Sequence, residues 1–260
     1  MRPRRRFRVL GALLAAFAIP AAAQEGAGEK RSGYEFSSRE TRAMQDDDAS
    51  NPGFLWVLQG ESLWRQRDGK AGKACADCHG DAKDSMRGVA ARYPAFDPAL
   101  GRTLDLEQRI NHCRAVHQEA PPLAYESDGL LALTAFVGTQ SRGAPIEVSV
   151  DDRNRATFEA GRALFQARQG QLNLACSQCH DENWGKELAG NPVPQAHPTG
   201  YPLYRLEWQS LGSLRRRIRN CLIGVRAEPY PYDAPEYVEL ALYLAWRAQG
   251  LPVETPAVRR

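Results

Sequence analysis

Two short stretches of this chain repeat one spacing of reactive side chains: Cys75-Ala-Asp-Cys78-His79 and Cys176-Ser-Gln-Cys179-His180. Two thiols three positions apart on a turn reach the two vinyl groups of one porphyrin, and the imidazole that follows lies where it can bind the iron. A single copy would leave a redox-active dithiol or half a zinc site as rivals. Two copies, each with its histidine, predict two covalently bound c-type haems, with His79 and His180 as the first axial ligands. The chain has six cysteines, so Cys113 and Cys221 remain outside both attachment motifs.

Each iron needs a second axial ligand or an open position. Methionine is scarce: the chain has Met1, Met44 and Met86, and the last two precede the second motif by a long stretch. Cys221, His197 and an open site are therefore the choices at the second haem. Cys221 is favoured because it falls on the predicted helix after the haem segment, and Cys113 has the same relation to the first motif. One rule then accounts for both leftover cysteines. His112 and His117 compete with Cys113 for the first iron, although His112 sits about 100° round the helix from its neighbour. A Cys113–Cys221 disulfide is the structural alternative, and it would draw both cysteines away from their own haem faces. A thiolate ligand stabilises ferric iron and lowers the potential, which suits chemistry better than simple relay.

Four residues, one helical turn, separate Arg217 from Cys221, so both side chains share a face. The forked donors of a guanidinium suit a small oxyanion held at the sulfur. Arg109 stands in the same relation to Cys113, and arginines also pair with haem propionates, so a structural role competes. The second copy adds Arg215, Arg216, Arg219 and Arg226, a basic cluster that the first copy lacks and that would draw in an anion. Arg226 is accordingly a second candidate for substrate binding.

The elements that must carry these residues repeat as well. Gly60, Leu63, Trp64, Arg67 and Gly69 precede Cys75 as Gly161, Leu164, Phe165, Arg168 and Gly170 precede Cys176; downstream, Leu106, Arg109, Ile110 and Cys113 match Leu214, Arg217, Ile218 and Cys221. Such self-similarity marks an internal duplication. Apolar residues at three- and four-residue spacing predict helices over 54–68, 105–118, 127–140, 154–169, 211–225 and 234–248. The expected fold is all-α: two tandem cytochrome c-like domains, residues 53–140 and 153–250, joined by a linker at 141–152 with a short strand near Ile146 to Val150. A polar N-terminal arm, 24–52, is expected to be exposed and without fixed structure, and 251–260 to form a tail.

Residues 1–23, with arginines ahead of an apolar stretch and Ala21-Ala22-Ala23 at its end, read as a secretory signal cut after Ala23. Its loss takes five arginines and no acid from a formal net charge of +3, leaving about −2. No nucleic-acid partner is indicated, since the other basic residues are scattered, and no span of the mature chain would cross a membrane.

The two haem motifs, Arg109-Ile-Asn-His-Cys113-Arg, Tyr125-Glu-Ser-Asp-Gly-Leu-Leu-Ala-Leu-Thr134 and Arg217-Ile-Arg-Asn-Cys221-Leu-Ile-Gly-Val-Arg226-Ala-Glu-Pro-Tyr230 resemble the dihaem A subunits of SoxAX thiosulfate-oxidising cytochromes. The resemblance spans roughly residues 50 to 258. It implies His79 and Cys113 on one iron, and His180 with Cys221, the latter as a persulfide, on the other. It further implies that Arg217 contacts substrate and that the activity is oxidative coupling of thiosulfate to a cysteine of a SoxYZ carrier in the periplasm. A SoxX-type monohaem cytochrome c is the implied partner. The competing readings are a dihaem cytochrome acting only in electron transfer, and a haem peroxidase with an open iron.

Overall fold

The computed structural model describes residues 29–260, so the expected signal segment and its cleavage point lie outside the described residues. Helices dominate, and the described strands form only short pairs and one three-stranded sheet. None of the described helices is long and apolar enough to cross a membrane.

Both units are built the same way. In the first, α2 (Phe54–Arg65) leads into the haem-motif turn α3 (Cys75–His79), then α4 (Ala82–Ser85), a two-stranded hairpin β1 (Ala95–Asp97) and β2 (Arg102–Leu104), α5 (Leu106–Cys113) and α6 (Asp128–Thr139). The second runs α7 (Arg155–Gln166), α8 (Cys176–His180), a hairpin β3 (Glu187–Leu188) and β4 (Asn191–Pro192), a hairpin β5 (Leu203–Arg205) and β6 (Ser210–Gly212), α9 (Leu214–Gly224) and α10 (Glu236–Arg247). In each unit the first and last helices pack together, and a glycine permits the close approach. A Cβ on Gly60 would stand 2.1 Å from the Ala132 carbonyl oxygen of α6, and one on Gly161 would stand 2.0 Å from that of Glu239 in α10. Those two glycines are duplicates of each other, which explains why both copies keep a residue that weakens a helix.

Caps set where the ligand-bearing helices begin. Asp105 accepts the Gln108 N–H at 2.8 Å at the start of α5, and Ser213 accepts the Arg216 N–H at 3.2 Å at the start of α9. After Cys113 the first unit inserts a π-helical turn, Arg114–Gln118. The backbone lying over Gly69 is therefore Gln118 to Ala120, whereas Val225 to Ala227 covers Gly170, so one extra residue is absorbed after Cys113.

The copies meet face to face. Arg215 of α9 is buried and pairs with Asp105 and Glu107 of the first unit, while the Tyr125 and Tyr232 rings stack with centroids 6.3 Å apart. In the register that matches Cys113 to Cys221, Glu107 is the counterpart of Arg215, so duplicated positions have diverged into a carboxyl and a guanidinium that meet across the seam.

Two expectations about the chain ends and linker are corrected. The N-terminal segment carries α1 (Arg39–Asp46), capped by Ser38, and Gln45 and Asn51 are buried. Asn51 Nδ2 donates to the Pro256 carbonyl at 2.9 Å, and Gln45 Oε1 accepts the Val258 N–H at 3.1 Å. The C-terminal residues Val258–Arg259 form β7, parallel to β5, so the segment finds its partners more than 200 residues away in sequence, where local composition could not signal them. Ile146 and Val148 are buried in the core of the second unit, yet no strand forms at 146–150; Ile146 instead exchanges backbone bonds with Leu251 and Gly250.

Candidate active site

Each haem motif is a single helical turn whose start is closed by its own third residue. Asp77 accepts the Ala74 N–H at 2.9 Å, and Gln178 accepts that of Ala175 at 2.9 Å. Arg67 and Arg168 brace the loops before them by donating to the Gly72 and Asn173 carbonyls, both at 3.0 Å. This scaffold presents the two thiols and the histidine of each motif toward the ligand-bearing helix of the same unit.

In the first unit these groups line a cavity of about 230 Å³, with Cys75, Cys78, His79 and Cys113 on its walls. Trp64, Leu133 and Val137 supply apolar lining. Two attachment thiols, an imidazole and a soft sulfur around an apolar slot fit a covalently held haem. Met86 and His117 also border this cavity, so the structure brings both near Cys113, whereas His112 acts on Asp97 at the edge. Arg109, one turn before Cys113, is closed off: its Nη1 donates to Asp97 Oδ2 at 2.5 Å.

In the second unit His180 Nδ1 bonds the Pro194 carbonyl at 2.6 Å. A carbonyl only accepts, so Nδ1 carries the proton and Nε2 keeps its lone pair free for a metal. Cys221 stands opposite. Burial alone would push its thiol up, but hydrogen bonding to His180 and the nearby Arg217 and Arg205 guanidiniums bring it down to about 7. The attachment thiol Cys176 is pushed up to about 11 by burial and then by the neighbouring Cys221. Each leftover cysteine thus faces the motif of its own unit, and no disulfide joins any two of the six cysteines, Cys113 and Cys221 included.

Arg217 differs from its duplicate Arg109 in one decisive respect. It lies beside Cys221 and the Tyr201 phenol, yet among the described residues its guanidinium donates no hydrogen bond to a carboxylate: Glu207, an acid that acts on it, is bonded to Arg205 instead. A largely desolvated guanidinium with no bonded carboxylate can take an anion.

Three of the other arginines of the cluster, Arg215, Arg216 and Arg219, are spent on packing, so only part of the expected basic funnel remains. Arg215 serves the contact between units; Arg216 donates to Ser210 Oγ at 3.1 Å and lies 4.2 Å over the Trp208 ring; Arg219 bonds the Tyr230 carbonyl and lies over Tyr232. Arg226 is exposed, and it holds the fold through its backbone, its carbonyl accepting the Gln171 N–H at 3.2 Å in a left-handed conformation with φ 58°. His197 bonds the Arg31 carbonyl at 2.7 Å through Nδ1. Two neighbours of Cys221, Tyr201 and Arg205, are not singled out by motif or spacing. Their signal is the duplication itself, whose register places them opposite Tyr93 and Asp97.

Fold and site together define a c-type cytochrome of two duplicated domains, in which a cysteine faces each motif histidine. Residues 59–146 and 160–253 match the family described as SoxA/TsdA, cytochrome c domain. The chain is 39% identical over 243 residues to the L-cysteine S-thiosulfotransferase subunit SoxA of Pseudaminobacter salicylatoxidans, covering 92% of this chain and 85% of that relative. It is 37% identical over 231 residues to the same subunit of Rhodovulum sulfidophilum, covering 89% and 80%. The crystal structure of SoxXA from P. pantotrophus superposes with a TM-score of 0.86 at 30% identity, over 89% of this chain and 87% of that one. The chain belongs to the SoxA/TsdA cytochrome c domain family.

Proposed function

We propose that this protein is an L-cysteine S-thiosulfotransferase subunit that oxidatively couples thiosulfate to a cysteine of a SoxYZ-type carrier, in the periplasm and together with a SoxX-type monohaem cytochrome c. The reading is supported by the names of the relatives and by the likeness to one chain of the P. pantotrophus SoxXA structure. One observation carries it: the Cys221 sulfur has His180 and Arg217 beside it, and no carboxylate is hydrogen-bonded to that arginine.

Two haems are assigned, one to Cys75, Cys78, His79 and Cys113, the other to Cys176, Cys179, His180 and Cys221. Bound at these sites, haem supplies the one-electron acceptors that the oxidation requires. The chain's own residues do the rest. Arg217 holds the sulfonate oxygens of thiosulfate and turns its terminal sulfur toward Cys221. An S–S bond forms between that sulfur and the Cys221 sulfur, carried as a persulfide, with release of two electrons. The carrier thiolate then attacks the thiosulfate-derived sulfur and leaves as the S-thiosulfonate adduct, restoring Cys221. Tyr201, whose phenol is pushed up by burial, stays neutral beside this sulfur and can donate a hydrogen bond there.

An anaerobic assay with thiosulfate, carrier and an oxidised acceptor tests the proposal. Acceptor reduction that requires both thiosulfate and the carrier thiol is expected, and mass spectrometry of the Cys221 peptide should show one extra sulfur. Reversible electron transfer with no thiosulfate-dependent turnover would make the protein a carrier of electrons only.

A further inference from the structure

The duplication offers an internal comparison at the anion site. The hairpins β1–β2 and β5–β6 have the same register: Ala95 pairs with Leu104 and Asp97 with Arg102, as Leu203 pairs with Gly212 and Arg205 with Ser210. That register also matches Tyr93-Pro94 to Tyr201-Pro202 and Cys113 to Cys221, and both of those X-Pro bonds are cis. The tyrosine, the arginine one turn before the cysteine and the cysteine itself are common to both units. They belong to the scaffold that both copies share. At one position near the sulfur the charge is reversed: Asp97 in the first unit, Arg205 in the second.

Asp97 has a visible task. It accepts from Arg109 at 2.5 Å with its side chain only 12% exposed, closing an arginine–carboxylate pair of zero net charge. Arg205 cannot do this for Arg217. Its side chain is 11% exposed and its Nε is buried with no partner; Nη2 bonds Glu207 Oε2 at 2.8 Å, a carboxylate that is 55% exposed. The Trp208 ring lies 5.2 Å from its guanidinium carbon and supports it from one side. The hairpin register sets Arg205 where Asp97 meets Arg109 in the first unit, on the Arg217 side of Cys221, and both guanidiniums act on the Tyr201 phenol and on Cys221. A buried Nε aimed at no acceptor is costly unless a ligand completes it.

We propose that Arg205 is a second anion-binding residue of the Cys221 site, and that the reversal from Asp97 to Arg205 opens a closed ion pair into a two-arginine cradle for a small dianion. The inference rests on the functional reading above and adds to it the basis of substrate charge selection. A monoanion needs only Arg217 and leaves Arg205 on Glu207. A sulfonate bearing a second charge on its terminal sulfur can take the place of Glu207 and satisfy both guanidiniums, and Glu207, being exposed, gives way into water.

Kinetics on the haem-loaded protein with its cytochrome partner test this, using thiosulfate as substrate and sulfate as a dead-end competitor. Arg205→Asp recreates the arrangement of the first unit and should tie up Arg217; KM for thiosulfate and the inhibition constant for sulfate should both rise by about 100-fold or more, near the upper end of the scale for charge-assisted bonds. Arg205→Gln should raise them by about tenfold and Arg205→Lys by less, with kcat at saturating thiosulfate retained in both and with haem absorption and melting midpoint unchanged. Glu207→Gln should leave KM the same or lower. Thiosulfate and sulfate constants within twofold of the unsubstituted protein in both Arg205→Asp and Arg205→Gln would overturn the proposal. So would a fall in kcat at unchanged KM, which would assign Arg205 to the scaffold. Should the unsubstituted protein fail to turn over thiosulfate at all, the broader functional reading falls first.

Discussion

Replacing Arg217 by Ala removes a guanidinium that has no bonded carboxylate, whereas Arg109→Ala removes one that Asp97 already occupies. The same substitution at duplicated positions should therefore give opposite results. Hydrogen bonds to charged groups contribute about 1.5–3 kcal/mol, and at about 1.4 kcal/mol per factor of ten Arg217→Ala should raise KM for thiosulfate about 10- to 150-fold. Little structural cost is expected, because no protein acceptor among the described residues loses its donor. Arg109→Ala should leave that KM unchanged while stranding the Asp97 carboxylate, whose side chain is only 12% exposed, so the loss appears as a lower melting midpoint of the first unit. The measurement is initial-rate kinetics with thiosulfate, carrier and acceptor, paired with thermal unfolding of both variants. Equal changes in KM for the two variants would show that Arg217 acts through a general haem-domain role and refute the anion-site argument.

Cys221→Met keeps a sulfur near the metal position but cannot carry the extra sulfur of the proposed persulfide, so both haems should remain attached by pyridine haemochrome analysis while carrier-dependent turnover is lost. Gly161→Ala would place a Cβ 2.0 Å from the Glu239 carbonyl oxygen and force α7 and α10 apart, costing on the order of 1–3 kcal/mol or more on the scale of overpacked cores, read from chemical denaturation. Burial, then the neighbouring Asp105 carboxylate, push Glu107 up to about 8 from its ordinary 4.5, against the pull of Arg215. A raised carboxyl binds its proton more tightly when folded, so its stabilisation is full below about pH 4.5 and is lost as pH rises toward 8, by at most about 1.4 kcal/mol per pH unit. Glu107→Gln should flatten that part of the stability profile, as followed by melting at several pH values.

The haem motifs, their histidines and the six principal helices are legible in the sequence because each is a local signal: a fixed spacing of ligands, an apolar period, a glycine where two helices cross. The repeat even places Cys113 and Cys221 as equivalents by spacing alone. Long-range partners are not legible. Nothing near Gln45 or Asn51 announces that their amides will bond Val258 and Pro256, and a polar, acidic segment is an ordinary sign of an exposed coil. Likewise, five arginines close together in sequence look like one basic surface, although helical geometry sends Arg215 into the seam between units, Arg216 onto Trp208 and Arg219 onto Tyr232.

By itself, then, the sequence determined what chemistry the chain could hold, since covalent attachment and iron ligation depend on residue type and short spacing. Only the tertiary structure decided which arginine is left open at the sulfur. Whether a guanidinium is closed off depends on what a separate hairpin places opposite it: an aspartate at 97 bonds Arg109, and an arginine at 205 leaves Arg217 without a bonded carboxylate. That pairing is made across space, between elements whose sequences carry no mark of each other.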